Sequence, residues 1–421
     1  IESTAHFAPG SEMFRSMCLS PDVWVWTSQR MCHLADLNVG DEIITSSGSR
    51  AKVAKIWENL SDDRNWVEVR VWGCRGTPLR CTTDHRVWTS TGWKRAKELT
   101  LTDKIEFPIR NLSDDPIKSI ELSPYFQSSP TKRRHGNANS HPPYIDAPTL
   151  MPLTYDIGRT LGLYLAEGWI SSKSGDGFND VCFAFPAHES ERMSFVSKTL
   201  KPWVKNPRLI NWKQSLGANV ILSSRPLARA FQDWFYFDKN LSRAYTKRLP
   251  DWIWNSPREF VVGVVVGFFQ GDGSWKVTKK SCHIRGVTTS PCLAAQMRDL
   301  LLSLKIGFAG LTTKIQKNRH RDWSLQLSGR AAARLGFLCG WCTEDLMAMP
   351  ESKFWKFVGE KIHVVVESIC PIESARPIDV EINHDDHSYR TASAIVANCE
   401  RAIKGEGIWE YHFLEWWRMP E

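Results

Sequence analysis

What the chain lacks narrows it first. Its longest apolar run, Val261 to Phe269, is broken by Gly263 and Gly267 and is far too short to span a bilayer, so a helical membrane protein is excluded. No leader with a basic start and an apolar middle opens the sequence. The 11 cysteines are odd in number and follow no regular framework. In a chain of 421 residues this argues for reduced thiols and a cytoplasmic setting, not a disulfide scaffold. Cys339-Gly-Trp-Cys342 has the spacing of a redox pair. No βαβ pattern surrounds it and no second pair completes a zinc set, so it reads as two incidental thiols.

Hydrophobic content of 42% with 24% charged residues is globular and excludes a disordered chain. The length is too great for one ordinary core and implies two or three domains. A net charge of +8 favours a polyanionic partner, although a merely basic surface carries the same charge.

Residues 18–110 read as short strands. Val23 to Trp26, Glu42 to Ile44, Val53 to Trp57, Val67 to Trp72 and His85 to Trp88 are β-branched or aromatic, with Gly, Asn, Asp and Pro turns between them. Residues 111–150, rich in Ser, Pro, Asn and His and holding Lys132 to His135, read as a linker. Residues 151–345 change character. Thr160 to Trp169 and Val261 to Trp275 are helix-like apolar runs that each carry an acidic residue followed by Gly. Further helices are expected at Ser190 to Leu200, Pro226 to Phe237 and Pro291 to Leu304. Residues 346–398 are the second part of the β domain, and 361–398 return to strands, at His363 to Ile369, Ile378 to Ile382 and Tyr389 to Val396. A β domain split by an insertion follows from this order.

Two junctions frame that split domain, Met17-Cys18 and Ala397-Asn398-Cys399. Two thiols and one side-chain amide are the covalent equipment for cutting a segment out and joining its flanks. Opening a peptide bond also needs a proton for the leaving nitrogen. Thr82-Thr-Asp-His85 supplies a hydroxyl to orient the amide and an imidazole to protonate it. Alone, such a spacing is weak. The bland alternatives are a buried strand histidine for His85 and a turn residue for Asp379.

Together the motifs resemble those of inteins, of the Hint-fold superfamily. The matching residues are Cys18-Leu-Ser-Pro-Asp, Thr82-x-x-His85 with a following Gly-Trp turn and a basic helix over Lys94 to Leu99, Asp379-Val-Glu-Ile, His387-Ser-Tyr389 and Val396-Ala-Asn398-Cys399. The resemblance implies a mostly-β, horseshoe-like Hint splicing domain built from both ends of the chain. It implies that Cys18 shifts the Met17 acyl group onto sulfur, Cys399 takes it over, and Asn398 cyclises to free the segment. Thr82 and His85 would assist the first step, Asp379 the first and second, and His387 the cyclisation. The family usually has His before the terminal Asn. Here it is Ala397, so a general acid is missing from the last step.

A repeat marks the insertion. Thr160-Leu-Gly-Leu-Tyr-Leu-Ala-Glu167-Gly and Val265-Val-Gly-Phe-Phe-Gln-Gly-Asp272-Gly share one frame. Small residues let two such helices approach, and two convergent carboxylates can bind a divalent cation. Either run alone reads as a buried helix with a Gly cap. As a pair they resemble the LAGLIDADG homing endonucleases, as do Lys247-Arg-Leu-Pro and Leu300-Leu-Leu-Ser-Leu-Lys-Ile-Gly. The resemblance implies an α/β (α+β) domain with two pseudo-symmetric halves. It implies Mg²⁺ on Glu167 and Asp272, Lys247 near the active site, and double-stranded DNA on strands bearing Lys276, Lys279, Lys280, Arg285 and Lys314 to Arg321.

The flanks, residues 1–17 and 399–421, join to a sequence that resembles part of a phage terminase large subunit without its phosphate-binding loop. The expectation is therefore a monomeric intein, acting in cis on host flanks in the cytoplasm of a phage host or other prokaryote. No membrane and no cofactor are expected for splicing. Two alternatives stand beside it: a hedgehog-like Hint protein that cleaves without ligating, and a DNA-binding nuclease with inert junctions.

Overall fold

A computed structural model describes residues 18–28, 30–58, 65–126, 147–171, 180–204, 207–211, 216–278, 281–314 and 320–398. Met17, Cys399, Lys132 to His135, Lys279, Lys280 and both flanks lie outside the described residues. The chain divides into two compact units, one over residues 1–109, 310–312 and 353–421, the other over 110–309 and 313–352. Among the described residues no helix is long and apolar enough to cross a membrane.

The first unit is almost entirely β. Its largest sheet interleaves strands from both ends of the sequence, in the order Ser388–Arg390, Ile395–Ala397, Arg86–Thr89, Lys104–Pro108, Lys361–Ile372, Trp66–Val71 and Leu79–Thr82. Trp355–Val358 and Gly92–Arg95 pair alongside. A second sheet orders Ile378–Ile382, Arg50–Glu58 and Glu42–Ile44. The alternation of Val and Ile with polar residues that suggested strands is matched by alternating burial, as in Lys361–Ile372, where Ile362, Val364 and Val366 are buried. Lys94 to Leu99 is not the expected helix. Lys94 pairs with Val87, and only Ala96–Glu98 make a 3₁₀ turn. Sheet pairing overrides the helix propensity of this Lys/Ala/Glu stretch.

The second unit repeats one plan twice. A helix (Tyr155–Glu167) runs into strands Gly168–Ser171 and Asp180–Pro186, a helix (Ser190–Leu200), strands Pro207–Asn211 and Gly217–Ser223, and a helix (Arg225–Phe235). The second half gives helix Arg258–Asp272, strands Gly273–Thr278 and Ser281–Thr288, helix Pro291–Ser303, strands Gly310–Lys314 and Asp322–Ser328, and helix Gly329–Leu338. Each half forms an antiparallel four-stranded sheet in the same first-second-fourth-third order. The stretch 111–150, expected as linker, contributes to a strand pair, Ser119–Glu121 with Leu150–Pro152, around its undescribed middle.

The two acidic helices pack against each other through glycines. A β-carbon on Gly162 would lie 2.1 Å from the Val264 carbonyl oxygen, and one on Gly267 2.0 Å from that of Arg159. Backbone therefore meets backbone, and any larger residue forces the helices apart. The two helices end two and three residues before the sequence pattern suggested, at Glu167 and Asp272. Trp169 and Trp275 belong to the following strands. Gly168 and Gly273 are extended, so they are not left-handed caps. They are needed because a side chain at either would strike the preceding helical turn.

Candidate active sites

In the first unit, two strand registers bring the ends of the chain together. Leu19 pairs with both Cys81 and Ile378, which seats Cys18 beside Thr82 and Asp379. Val396 pairs with Val87, which lays the strand that leads to Asn398 beside the strand that follows His85. All six described residues expected at this site are buried: Cys18, Thr82, His85, Asp379, His387 and Asn398.

Thr82 closes a ring of contacts on Cys18. Its hydroxyl oxygen accepts the Cys18 N–H at 3.0 Å, and its own N–H donates to the Cys18 carbonyl at 3.0 Å. The Cys18 nitrogen is the one released when the Met17-Cys18 bond opens. His85 is fully buried, and its two ring nitrogens have no hydrogen-bond partner among the described residues. Burial disfavours the charged imidazolium and holds its pKa down to about 3, so the ring is neutral at neutral pH. A neutral ring presents one acceptor and one donor, suited to taking a proton and passing one on.

Asp379 is fixed by a residue that sequence reasoning missed. The Tyr389 hydroxyl donates to Asp379 Oδ1 at 3.2 Å, and the Val380 N–H donates to the same oxygen at 2.8 Å. In the sequence Tyr389 stands out only as the aromatic two residues after His387; its phenol is the signal.

Asn398 is held through His387. The Asn398 N–H donates to the His387 carbonyl at 3.0 Å. With its amide turned to satisfy both ends, Nδ2 donates to the same carbonyl at 3.0 Å, and Oδ1 accepts the Ile382 N–H at 3.3 Å. His387 adopts φ +43°, a left-handed backbone uncommon outside glycine, which turns its carbonyl toward Asn398. His384 instead bonds the Asp386 N–H through Nδ1, at 3.1 Å. Ala397 is buried and pairs with Ser388.

In the second unit Glu167 and Asp272 close the two glycine-packed helices, both half-buried. Burial first, and the Asp272 charge next, push the Glu167 carboxyl up to about 7; burial also raises Asp272, against the opposing charge of Lys247. Lys247 is buried, and all three ammonium protons go to main-chain carbonyls at the end of the first acidic helix: Tyr164 at 2.9 Å, Leu165 at 2.9 Å and Gly168 at 2.7 Å. It therefore neutralises the helix terminus, the negative end of its dipole. Burial lowers its pKa while both carboxylates raise it. Two like-charged carboxylates with raised pKa values, and a lysine already engaged, suit a hard divalent cation with oxygen ligands. Among the described residues no third acidic, His or Cys side chain completes a set of protein ligands, so remaining positions would fall to water or substrate oxygens.

The sheet that follows Asp272 has one polar face. Ser274, Lys276, His283, Arg285, Gln326 and Ser328 lie in register across three strands, while Ile284, Leu325 and Leu327 are buried on the other face. Arg285 is braced by Ser324 Oγ at 3.0 and 2.7 Å. Lys314 and Arg321 are described; residues 315–319 are not.

Residues 259–335 match the LAGLIDADG-like domain family. Over 353 residues the chain is 24% identical to the ATP-dependent DNA helicase Hel308 of Thermococcus kodakarensis, covering 75% of this chain and 30% of the helicase. Over 152 residues it is 27% identical to a DNA polymerase of Thermococcus hydrothermalis, covering 36% of this chain and 9% of the polymerase. The chain thus spans a third or less of the length of these two relatives. Among solved structures, the homing endonuclease I-DmoI in complex with DNA and Mn is 16% identical, covers 44% of this chain and 97% of its own, and aligns with a TM-score of 0.30. The MchDnaB-1 intein is 23% identical, covers 20% of this chain and 65% of its own, with a TM-score of 0.19.

Proposed function

We propose that residues 18–398 are a self-splicing intein that carries a homing endonuclease. The supporting observation is a pair of contacts on the two reacting residues, one of them on the nitrogen released from the first bond and the other on the side-chain amide that attacks the second. Thr82 grips the nitrogen of Cys18, and the His387 carbonyl grips Asn398.

In this reading Cys18 Sγ attacks the Met17 carbonyl carbon. The neutral His85 ring takes the thiol proton and delivers one to the Cys18 nitrogen as the C–N bond breaks. Thr82 keeps that nitrogen in place. Cys399 Sγ then attacks the resulting thioester and expels the Cys18 thiolate, with Asp379 accepting the Cys399 proton. Asn398 Nδ2 attacks its own carbonyl carbon, and the bond to the Cys399 nitrogen breaks. His387 passes a proton to that nitrogen and takes up the one that Nδ2 loses. The freed Cys399 amine takes the acyl group from its own sulfur and leaves a peptide bond. Ala397 removes one general acid from the cyclisation, a contribution typically worth about 10²–10⁴-fold. The last cleavage therefore limits the rate.

For the inserted unit, Glu167 and Asp272 would hold Mg²⁺. Bound there, the ion supplies charge neutralisation and an activated water at a scissile phosphate. Lys247 keeps the first acidic helix end neutral so that its carboxylate stays in place. The polar sheet face with Lys276 and Arg285 takes the DNA backbone, and binding weakens as salt rises. One chain supplies both carboxylates, so it acts as a monomer.

Replacing His387 with Ala tests the splicing assignment. The branched intermediate, in which both flanks hang from Cys399, accumulates on a denaturing gel. Splicing at an unchanged rate would remove His387 from the mechanism.

A further inference from the structure

We propose that Cys282 and Cys342 form a disulfide cross-linking site in the inserted unit, oxidised by a small-molecule disulfide such as oxidised glutathione. The two sulfurs lie 3.7 Å apart although the residues are 60 positions apart in sequence. Cys282 is buried on strand Ser281–Thr288, and Cys342 is half-buried just after helix Gly329–Leu338.

The loop that carries Cys342 is held from several sides. The Trp341 and Cys342 N–H groups both donate to the Gly336 carbonyl, at 2.7 and 3.2 Å. A β-carbon on Gly336 would lie 2.3 Å from Cys342 Sγ, so glycine alone lets the thiol sit against the helix. The Trp341 ring stacks on Trp275 at 6.0 Å and 14°. Trp275 stands on the strand that leaves Asp272, and Val277 of that strand pairs with Cys282. The neighbour suggested by the C-x-x-C spacing is not the one found. Cys339 is buried and makes no sulfur–sulfur hydrogen bond among the described residues, although burial first and the neighbouring Cys342 next raise its pKa, while its carbonyl accepts Gln270 Nε2 at 3.1 Å.

The chemistry balances in two exchanges. The Cys342 thiolate, the more accessible, attacks one sulfur of oxidised glutathione and releases one glutathione thiolate. Cys282 then attacks the Cys342 sulfur of the mixed disulfide and releases the second. The two cysteines lose two electrons and two protons, and one glutathione disulfide becomes two thiols. Burial pushes the Cys282 thiol up to about 12, so the second exchange is slow and quickens as pH rises. The product ties the loop after the last helix to the sheet and keeps Trp341 over Trp275. It also closes a long loop, which restricts the unfolded chain.

Both cysteines lie within residues 18–398, so the test holds for the full chain and for its excised product. The protein is incubated with oxidised glutathione at pH 8 and mapped by mass spectrometry without reduction. The expected result is a Cys282–Cys342 cross-linked peptide, an intact mass lower by two hydrogens, and a rise in melting temperature that a reductant reverses. Cys342→Ser loses the cross-link and the rise, and Cys339→Ser keeps both. A stable glutathione adduct on Cys342 without cross-linking, a Cys339–Cys342 link, or an unchanged melting temperature overturns the proposal.

Discussion

The Thr82 hydroxyl oxygen lies 3.0 Å from the Cys18 nitrogen, and the Thr82 N–H lies 3.0 Å from the Cys18 carbonyl oxygen. One residue therefore fixes both ends of the reacting cysteine's backbone. Thr82→Val keeps the β-branched shape and the second contact but loses the first. A hydrogen bond contributes about 1 kcal/mol. Thiol-induced cleavage at the Met17-Cys18 bond should slow by roughly 5-fold, by that arithmetic. An unchanged cleavage rate would mean that this contact only supports the fold.

His85 makes the first unit sensitive to acid. Its pKa falls from the usual 6.5 to about 3 on folding, because burial excludes the charged form. Between these values the unfolded chain binds the extra proton and the native one does not. Stability is therefore full above about pH 6.5 and drains away as pH falls toward 3. The loss is on the order of a few kcal/mol. Denaturant titrations from pH 7 to 4, on a chain silenced by Cys18→Ala with Asn398→Ala, should show the midpoint dropping. His85→Gln should flatten that dependence.

The two carboxylates of the inserted unit act in the opposite sense. Folding raises Glu167 from 4.5 to about 7 and also raises Asp272. The native state now holds the extra proton, so stability is highest at acid pH and falls as pH rises through about 7. Glu167→Gln should raise the melting temperature at pH 8 by about 2–4 °C, the effect of roughly 1 kcal/mol on a domain of this size. Mg²⁺ should raise the melting temperature of the parent at that pH and leave a Glu167→Gln, Asp272→Asn double variant unmoved. Equal Mg²⁺ stabilisation of both would take the ion away from these residues.

Much of the architecture was legible because it rests on local pattern. The paired Gly-containing runs ending in Glu167 and Asp272 announced two helices that touch, and alternation announced the strands on both sides of the insertion. The contacts that complete the sites cross long stretches of sequence. Tyr389 reaches Asp379 through the turn between two strands. Lys247 spends its protons on carbonyls some 80 positions away. The partner of Cys342 comes from a strand, not from its own motif. Lys94 to Leu99 misled because its composition favours a helix while its neighbour, Val87, claims it for a sheet.

The central claim is that the chain removes residues 18–398 and joins what flanks them. Expressing the chain and weighing its products tests this most directly. The account predicts two species, the excised segment ending in a succinimide and the ligated flanks, with branched intermediate building up because Ala397 slows the last cleavage. An intact 48.1 kDa chain that persists without intermediates, or two free flanks that never join, would contradict it.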